Sequence, residues 1–329
     1  MAALLAVCGL YAFLNTNLFG ASKLCGGLVT SSAAEAGFER SGKITDREGA
    51  LADSGKDAFA FHCEIVNSTV IPGQEEQWIS LLGTTEDPDF AFNGAPWPHP
   101  ARMSFFSGDV TGAVGEGRGW VLLPESCWSG RPRVLEASAD KNTDRLGLAR
   151  LMVETAQASA EANGCGFPKK VHAPDTLTPE AKSRQTDASR VCGIAGFTLA
   201  DVYTEPGVRA HETAQRTPGD IWSCSLTLDK TFADAPKGSD YVTYSVVQDP
   251  HIIAGLKSSP RHSEESPLKG RKATGIHPTN VVVMCRGKET YFTMEQGLQH
   301  AEPGDSFRPP SSELFTRFMD KVGASFGCA

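Results

Sequence analysis

At 329 residues, 40 % hydrophobic and 21 % charged, the chain can form two ordinary domains with their own cores. Its composition excludes a disordered or multi-spanning protein. A formal charge of −8 argues against binding nucleic acid, which needs a basic face, and no run of Lys and Arg interleaved with aromatics is present.

Ala2 to Leu14 carries no charge, and the first charged side chain is Lys23. About 20 apolar residues cross a bilayer. Residues 1–22 are therefore expected to form a single transmembrane or signal-anchor segment, with the bulk of the chain extracytoplasmic at the cell membrane. A secreted chain and a buried core helix are the alternatives. No Lys or Arg precedes Lys23, although an export signal carries basic residues there. Cys8 follows Leu-Ala-Val, and that Val departs from a lipoprotein box.

The first repeat, residues 23–167, opens at Cys25 and continues into a short helical stretch from Ser31, with hydroxyl groups available as N-cap. Phe59, Phe61, Cys63 and Ile65 alternate with Ala60, His62 and Glu64, which predicts a half-buried strand with His62 facing solvent. Gln77 to Leu82 predicts a second strand. Asp87 to Pro100 reads as loop, because Pro96, Pro98 and Pro100 offer no ladder donors. Met103 to Phe106 predicts a short strand ahead of a Gly-rich connection into the strand Trp120 to Leu123. After a turn at Cys127 and a short strand at Val134 and Leu135, a long helix sets Leu148, Leu151, Met152, Thr155, Ser159 and Ala162 on one side. Gly164 stops it. Residues 168–190, rich in Pro, Thr, Ser and charge, read as a linker.

The same order returns in the second repeat, residues 191–329. Cys192 to Gly196 answers Cys25 to Val29, and Trp222, Cys224, Leu226 and Leu228 alternate as the first strand did. Tyr241 to Val247 predicts the next strand, and Asp249-Pro250 answers Asp87-Pro88. Val281 to Met284 leads into Cys285, Tyr291 to Met294 follows, and a last helix carries Phe315, Phe318, Met319 and Val322 on one stripe before Cys328. The expected fold class is α+β: two tandem similar domains, each an antiparallel sheet packed by an opening short helix and a closing amphipathic helix, behind an N-terminal transmembrane helix.

Apart from Cys8, the cysteines fall four to a repeat: Cys25, Cys63, Cys127 and Cys165, then Cys192, Cys224, Cys285 and Cys328. No C-x₂-C pair brings two metal ligands together, so disulfides in an exported chain are expected rather than a metal site. Four cysteines allow three connectivities, and spacing does not choose among them. We take the two nearer pairs in each repeat as the working expectation.

No catalytic or cofactor motif accompanies this framework. Gly323 to Gly327 spells a nucleophile elbow around Ser325 but ends a helix, whereas that motif needs a strand-to-helix turn. Gly115, Gly117 and Gly119 precede a strand, so they present no helix N-terminus to a phosphate. Two surfaces are candidates for ligand contact. His251, His262, Glu264 and Glu265 share a loop with Lys257 and Arg261, which suits an anionic envelope group or is simply a solvated loop. Trp97, with Phe105 and Phe106, suits stacking on sugars or peptides, or covers a sheet edge.

Lys23 to Val29, Met103 to Asp109, Trp120 to Pro124 and the Gly-Cys helix ends resemble a group of uncharacterised actinobacterial exported, membrane-anchored proteins with two tandem cysteine-containing repeats. The resemblance implies one N-terminal membrane segment and brings no activity, cofactor or catalytic residue. The function expected is that of a cell-envelope binding or accessory protein, its partner an unknown envelope polymer or protein. The alternative is a hydrolase acting on envelope material.

Overall fold

Side chains that alternate between two faces build both sheets of the protein, seen here in a computed structural model. It describes residues 9, 13–18, 20–48, 59–93, 99–140, 143–215, 219–231, 239–263, 272–301 and 304–328. A two-stranded ribbon, β1 (Lys23–Leu24) and β2 (Val29–Thr30), precedes the first large sheet. That sheet contains β3 (Lys43–Glu48), β4 (Phe61–Ser68), β5 (Gln77–Thr85), β6 (Ser104–Phe106), β7 (Gly112–Gly115), β8 (Arg118–Leu122) and β9 (Arg133–Ala139), in the spatial order β3-β4-β5-β9-β8-β7-β6. The other contains β10 (Arg184–Gln185), β11 (Ala210–Ala214), β12 (Ile221–Leu228), β13 (Val242–Val247), β14 (Ala273–His277), β15 (Asn280–Cys285) and β16 (Lys288–Gln296), in the order β10-β11-β12-β13-β16-β15-β14. All pairings are antiparallel. Without β6 and β10, the two orders are the same.

One face of each sheet is closed by helices. In the first unit, α1 (Ser31–Ala36) and α2 (Arg145–Ala162) cover Ile65, Ile79, Leu81, Leu135 and Ala137 with Leu148, Leu151, Met152 and Ala156. Asp144 starts α2 by accepting the Gly147 N–H at 2.6 Å. A Cβ on Gly147 would lie 1.7 Å from the Ala36 carbonyl oxygen, so only glycine lets the two helices approach this closely. In the second unit, α3 (Leu199–Val202) and α5 (Ser311–Gly323) do the covering. Phe318 stacks on Tyr244 at 4.5 Å and meets Phe292 edge-on at 5.7 Å, a cluster whose aromatic burial dominates that core.

The compact units do not follow chain order. The first is Met1–Glu86 with Ser104–Thr178, and the second is Asp87–Met103 with Pro179–Ala329. The connection after β5 therefore belongs to the second unit. Residues 168–190, expected as a linker, are divided: Val171 is buried in the first core and Arg184–Gln185 forms β10.

Two expectations need correcting. The fold is mostly sheet with few helices, not the expected α+β arrangement behind a membrane helix. No helix among the described residues is long and apolar enough to cross a membrane. Much of 1–22 lies outside the described residues; Gly9 and Phe13–Asn15 are helical, and Asn15 is buried. Its Oδ1 accepts from Thr69 Oγ1 at 2.5 Å and from the Val70 N–H at 3.0 Å, a polar anchorage beyond the end of β4.

Candidate functional site

The cysteines form Cys25–Cys63, Cys127–Cys165, Cys192–Cys224 and Cys285–Cys328. Four disulfides mark a protein that folds in an oxidising compartment, outside the cytoplasm. Among the described residues, one group of potential metal donors converges: Cys25, Asp46 and Cys63. Its two sulfurs are bonded to each other, and Asp46 Oδ2 accepts the Cys25 N–H at 2.5 Å. That donor set is spent.

The sequence candidates do not assemble into one site. Trp97, Glu264 and Glu265 lie outside the described residues. Phe105 sits edge-on to Trp120 at 6.3 Å, while Phe106 turns into the first core. The basic loop is largely a helix, α4 (Pro250–Ser258), whose first turn Asp249 caps by accepting the His251 and Ile252 N–H groups at 3.0 Å. Lys257 pairs with Glu289 at 2.7 Å, and Arg261 with Asp89 at 3.1 Å. His262 is half-buried beyond the helix, its N–H on the Ser259 carbonyl. Lys257 and Arg261 thus pair with the fold's own carboxylates.

A different surface emerges on the helix-free face of the first sheet. Register places Arg47, Glu64, Ser80, Ser138 and Arg118 directly opposite one another across β3, β4, β5, β9 and β8. The neighbouring row holds His62, Leu82, Glu136 and Trp120. Every other residue along these strands turns into the core, so this row must turn away from it. Trp78 and Leu82 are 38 % and 40 % exposed. Beside Trp78 opens a cleft of about 300 Å³ lined by Arg47, Glu64, Val66 and Glu76. The Arg47 guanidinium donates to Glu64 Oε1 at 3.2 Å and to Glu76 Oε1 at 3.3 Å. Further along, His62 Nε2 lies 2.9 Å from Ser80 Oγ.

Glu136 is the perturbed acid of this face. Burial, reinforced by the charge and hydrogen bond of Glu86, raises its carboxyl to about 8 against the opposing Arg118. It therefore holds a proton at neutral pH.

The corresponding face of the second sheet is closed. Ser223, Ser225, Thr243, Ser245 and Thr293 are all buried there. Described parts of the segment Asp87–Met103 lie on it, with Phe92 edge-on to Tyr291 at 6.1 Å and the Met103 carbonyl accepting from Gln215. His99 Nε2 faces Thr243 Oγ1 and lies 3.4 Å from Asp240 Oδ2. Asp240 Oδ1 in turn accepts from Ser225 Oγ at 2.6 Å. Burial holds His99 below its ordinary value despite Asp240, and burial with the Asp240 charge raises Glu295 to about 7.

No family model, curated protein or solved structure matches this chain. Its chemistry must be judged from geometry alone. In a hydrolytic triad the acid grips the ring nitrogen opposite the nucleophile. At His99 both Asp240 and Thr243 crowd Nε2, while Nδ1 is buried without a partner among the described residues. At His62 no carboxylate among the described residues is hydrogen-bonded to the other ring nitrogen. Ser80 also stands mid-strand, paired with Glu64 and Ser138, so neighbouring N–H groups belong to the ladder rather than to an oxyanion hole.

One signal for it was present in the sequence: the same alternation that marked Cys63 and Ile65 as core marks His62 and Glu64 as outward. Arg47, Ser138 and Glu136 carried no such signal, because only strand register brings them together.

Proposed function

We propose that this is an extracytoplasmic binding or accessory protein of the cell envelope, and that its ligand lies on the helix-free face of the first sheet. The observation that carries the reading is the exposed Trp78 ring beside the Arg47–Glu64–Glu76 cluster. An aromatic face can stack on a sugar ring while charged groups receive its hydroxyls, which favours a saccharide-bearing envelope polymer. Insoluble wall glycan incubated with the oxidised full chain provides the test. Trp78→Ala is expected to weaken retention at least tenfold with little change in melting temperature. Retention equal to wild type would refute this face as the site.

The hydrolase alternative draws support from one feature, the protonated Glu136 next to Glu86, since a carboxyl that keeps its proton at neutral pH can act as a general acid. Release of soluble fragments from the same glycan, abolished in Glu136→Gln, would favour it over binding alone.

A further inference from the structure

Among the described residues, the second sheet carries an edge strand with no counterpart in the first. β10 pairs antiparallel with β11, setting Arg184 opposite Glu212 and Gln185 opposite His211. The Thr186 N–H extends the pairing by donating to the Ala210 carbonyl at 2.8 Å. Arg184 donates through Nε and Nη2 to Glu212 Oε1, at 2.9 and 2.7 Å, while Glu212 Oε2 accepts the Cys192 N–H at 2.7 Å.

β3 holds the place of β11 in the first sheet, and Asp46 holds the place of Glu212. Each carboxylate stands two residues before the one opposite the strand cysteine, Glu48 facing Cys63 and Ala214 facing Cys224. Each also accepts the N–H of the repeat's first cysteine. Among the described residues, no strand pairs with the outer edge of β3 and no cation pairs with Asp46. By the same register, Ile44 turns outward the carbonyl that Ala210 offers to Thr186.

We propose that the outer edge of β3 is a docking site for an extended, arginine-bearing segment of a partner protein, added antiparallel as β10 is added to β11, with its guanidinium on Asp46. Backbone pairing would supply affinity and the single ion pair would set register. A second copy of this chain is the poorer occupant. Its own Arg184 already satisfies its Glu212, which is 2 % exposed and would be left without its counter-ion.

The chain contains a suitable probe. A labelled peptide with the sequence of residues 181–187, titrated into the oxidised full chain, is expected to bind saturably. Asp46→Asn, which keeps an acceptor for the Cys25 N–H, should weaken binding at least tenfold. So should Ala for the peptide's arginine, and N-methylation of the residue matching Thr186. Binding indifferent to Asp46→Asn would mean the peptide lodges elsewhere, including on β11, and would overturn the proposal. Absence of saturable binding would do the same. Amide exchange gives an independent reading: fast exchange at Ile44 and Asp46 in the free chain is expected, and slow exchange would show an edge already paired. A dimer dissolved by the peptide would put a second copy in the partner's place and overturn the choice of occupant.

Discussion

Glu212 accepts the backbone N–H of Cys192 at 2.7 Å, and Cys192 adopts a left-handed conformation with φ of 58°. Asp46 and Cys25 repeat the arrangement, with φ of 55° at the cysteine. A non-glycine residue at positive φ carries strain, and the carboxylate compensates by satisfying an N–H that no ladder reaches. Each repeat thus locks its opening turn to the sheet twice, by sulfur to one strand and by a charged acceptor to its neighbour. Glu212→Ala is expected to cost about 2 kcal/mol, because it orphans both that N–H and Arg184. Glu212→Gln should cost about half as much. Urea unfolding of the oxidised variants measures the difference.

Removal of a disulfide is expected to destabilise by about 3–4 kcal/mol on the chain-entropy account. Cys25→Ala with Cys63→Ala opens a loop of 38 residues, and Cys285→Ala with Cys328→Ala one of 43. Their costs should therefore be nearly equal. Melting temperatures of the two double variants, with the reductant-treated wild type as reference, test this.

Asp89 is buried at 4 % exposure and meets Arg261, which is half in solvent. Arg261→Ala would leave that carboxylate without its counter-ion and should lower stability by about 1–2 kcal/mol, discounted for the exposure of the guanidinium. Asp89→Asn in the same background should recover part of the loss. A double-mutant cycle by thermal unfolding gives the coupling.

Glu136 binds its proton more tightly folded than unfolded, at about 8 against 4.5. Its contribution to stability is therefore complete below pH about 4.5 and is lost as pH rises through about 8. Glu136→Gln should flatten the decline of melting temperature between pH 5 and pH 8. A wild-type profile that stays parallel to the variant's would refute the raised Glu136 carboxyl.

How much of this could be read in advance varies by element. The cysteine spacing and the alternation in β4 and β12 were legible, because apolar burial leaves a period of two in the letters. β3 and β11 were not seen as strands. Asp46 and Glu212 occupy positions where alternation asks for an apolar residue, since they turn toward the cysteine turn. α4 was hidden by reading His251, Lys257 and Arg261 as one loop, although Asp249 at N-cap with Pro250 next is a helix start. The N-terminal apolar run resembled a membrane segment because hydropathy does not register that Asn15 is buried and bonded to Thr69 and Val70.

By itself the sequence determined the repeated order of cysteines and strands and the inward faces, because burial imposes local spacing, while the disulfide connectivity waited for the structure. Tertiary structure alone decided that described parts of Asp87–Met103 would cover one sheet's outer face while Trp78 and Leu82 on the other stayed partly exposed. It also placed Arg47, Glu64, Ser80, Ser138 and Arg118 in one row, residues up to 91 positions apart in the chain. Register between strands depends on how two whole faces fit, and no short stretch of the chain encodes that fit.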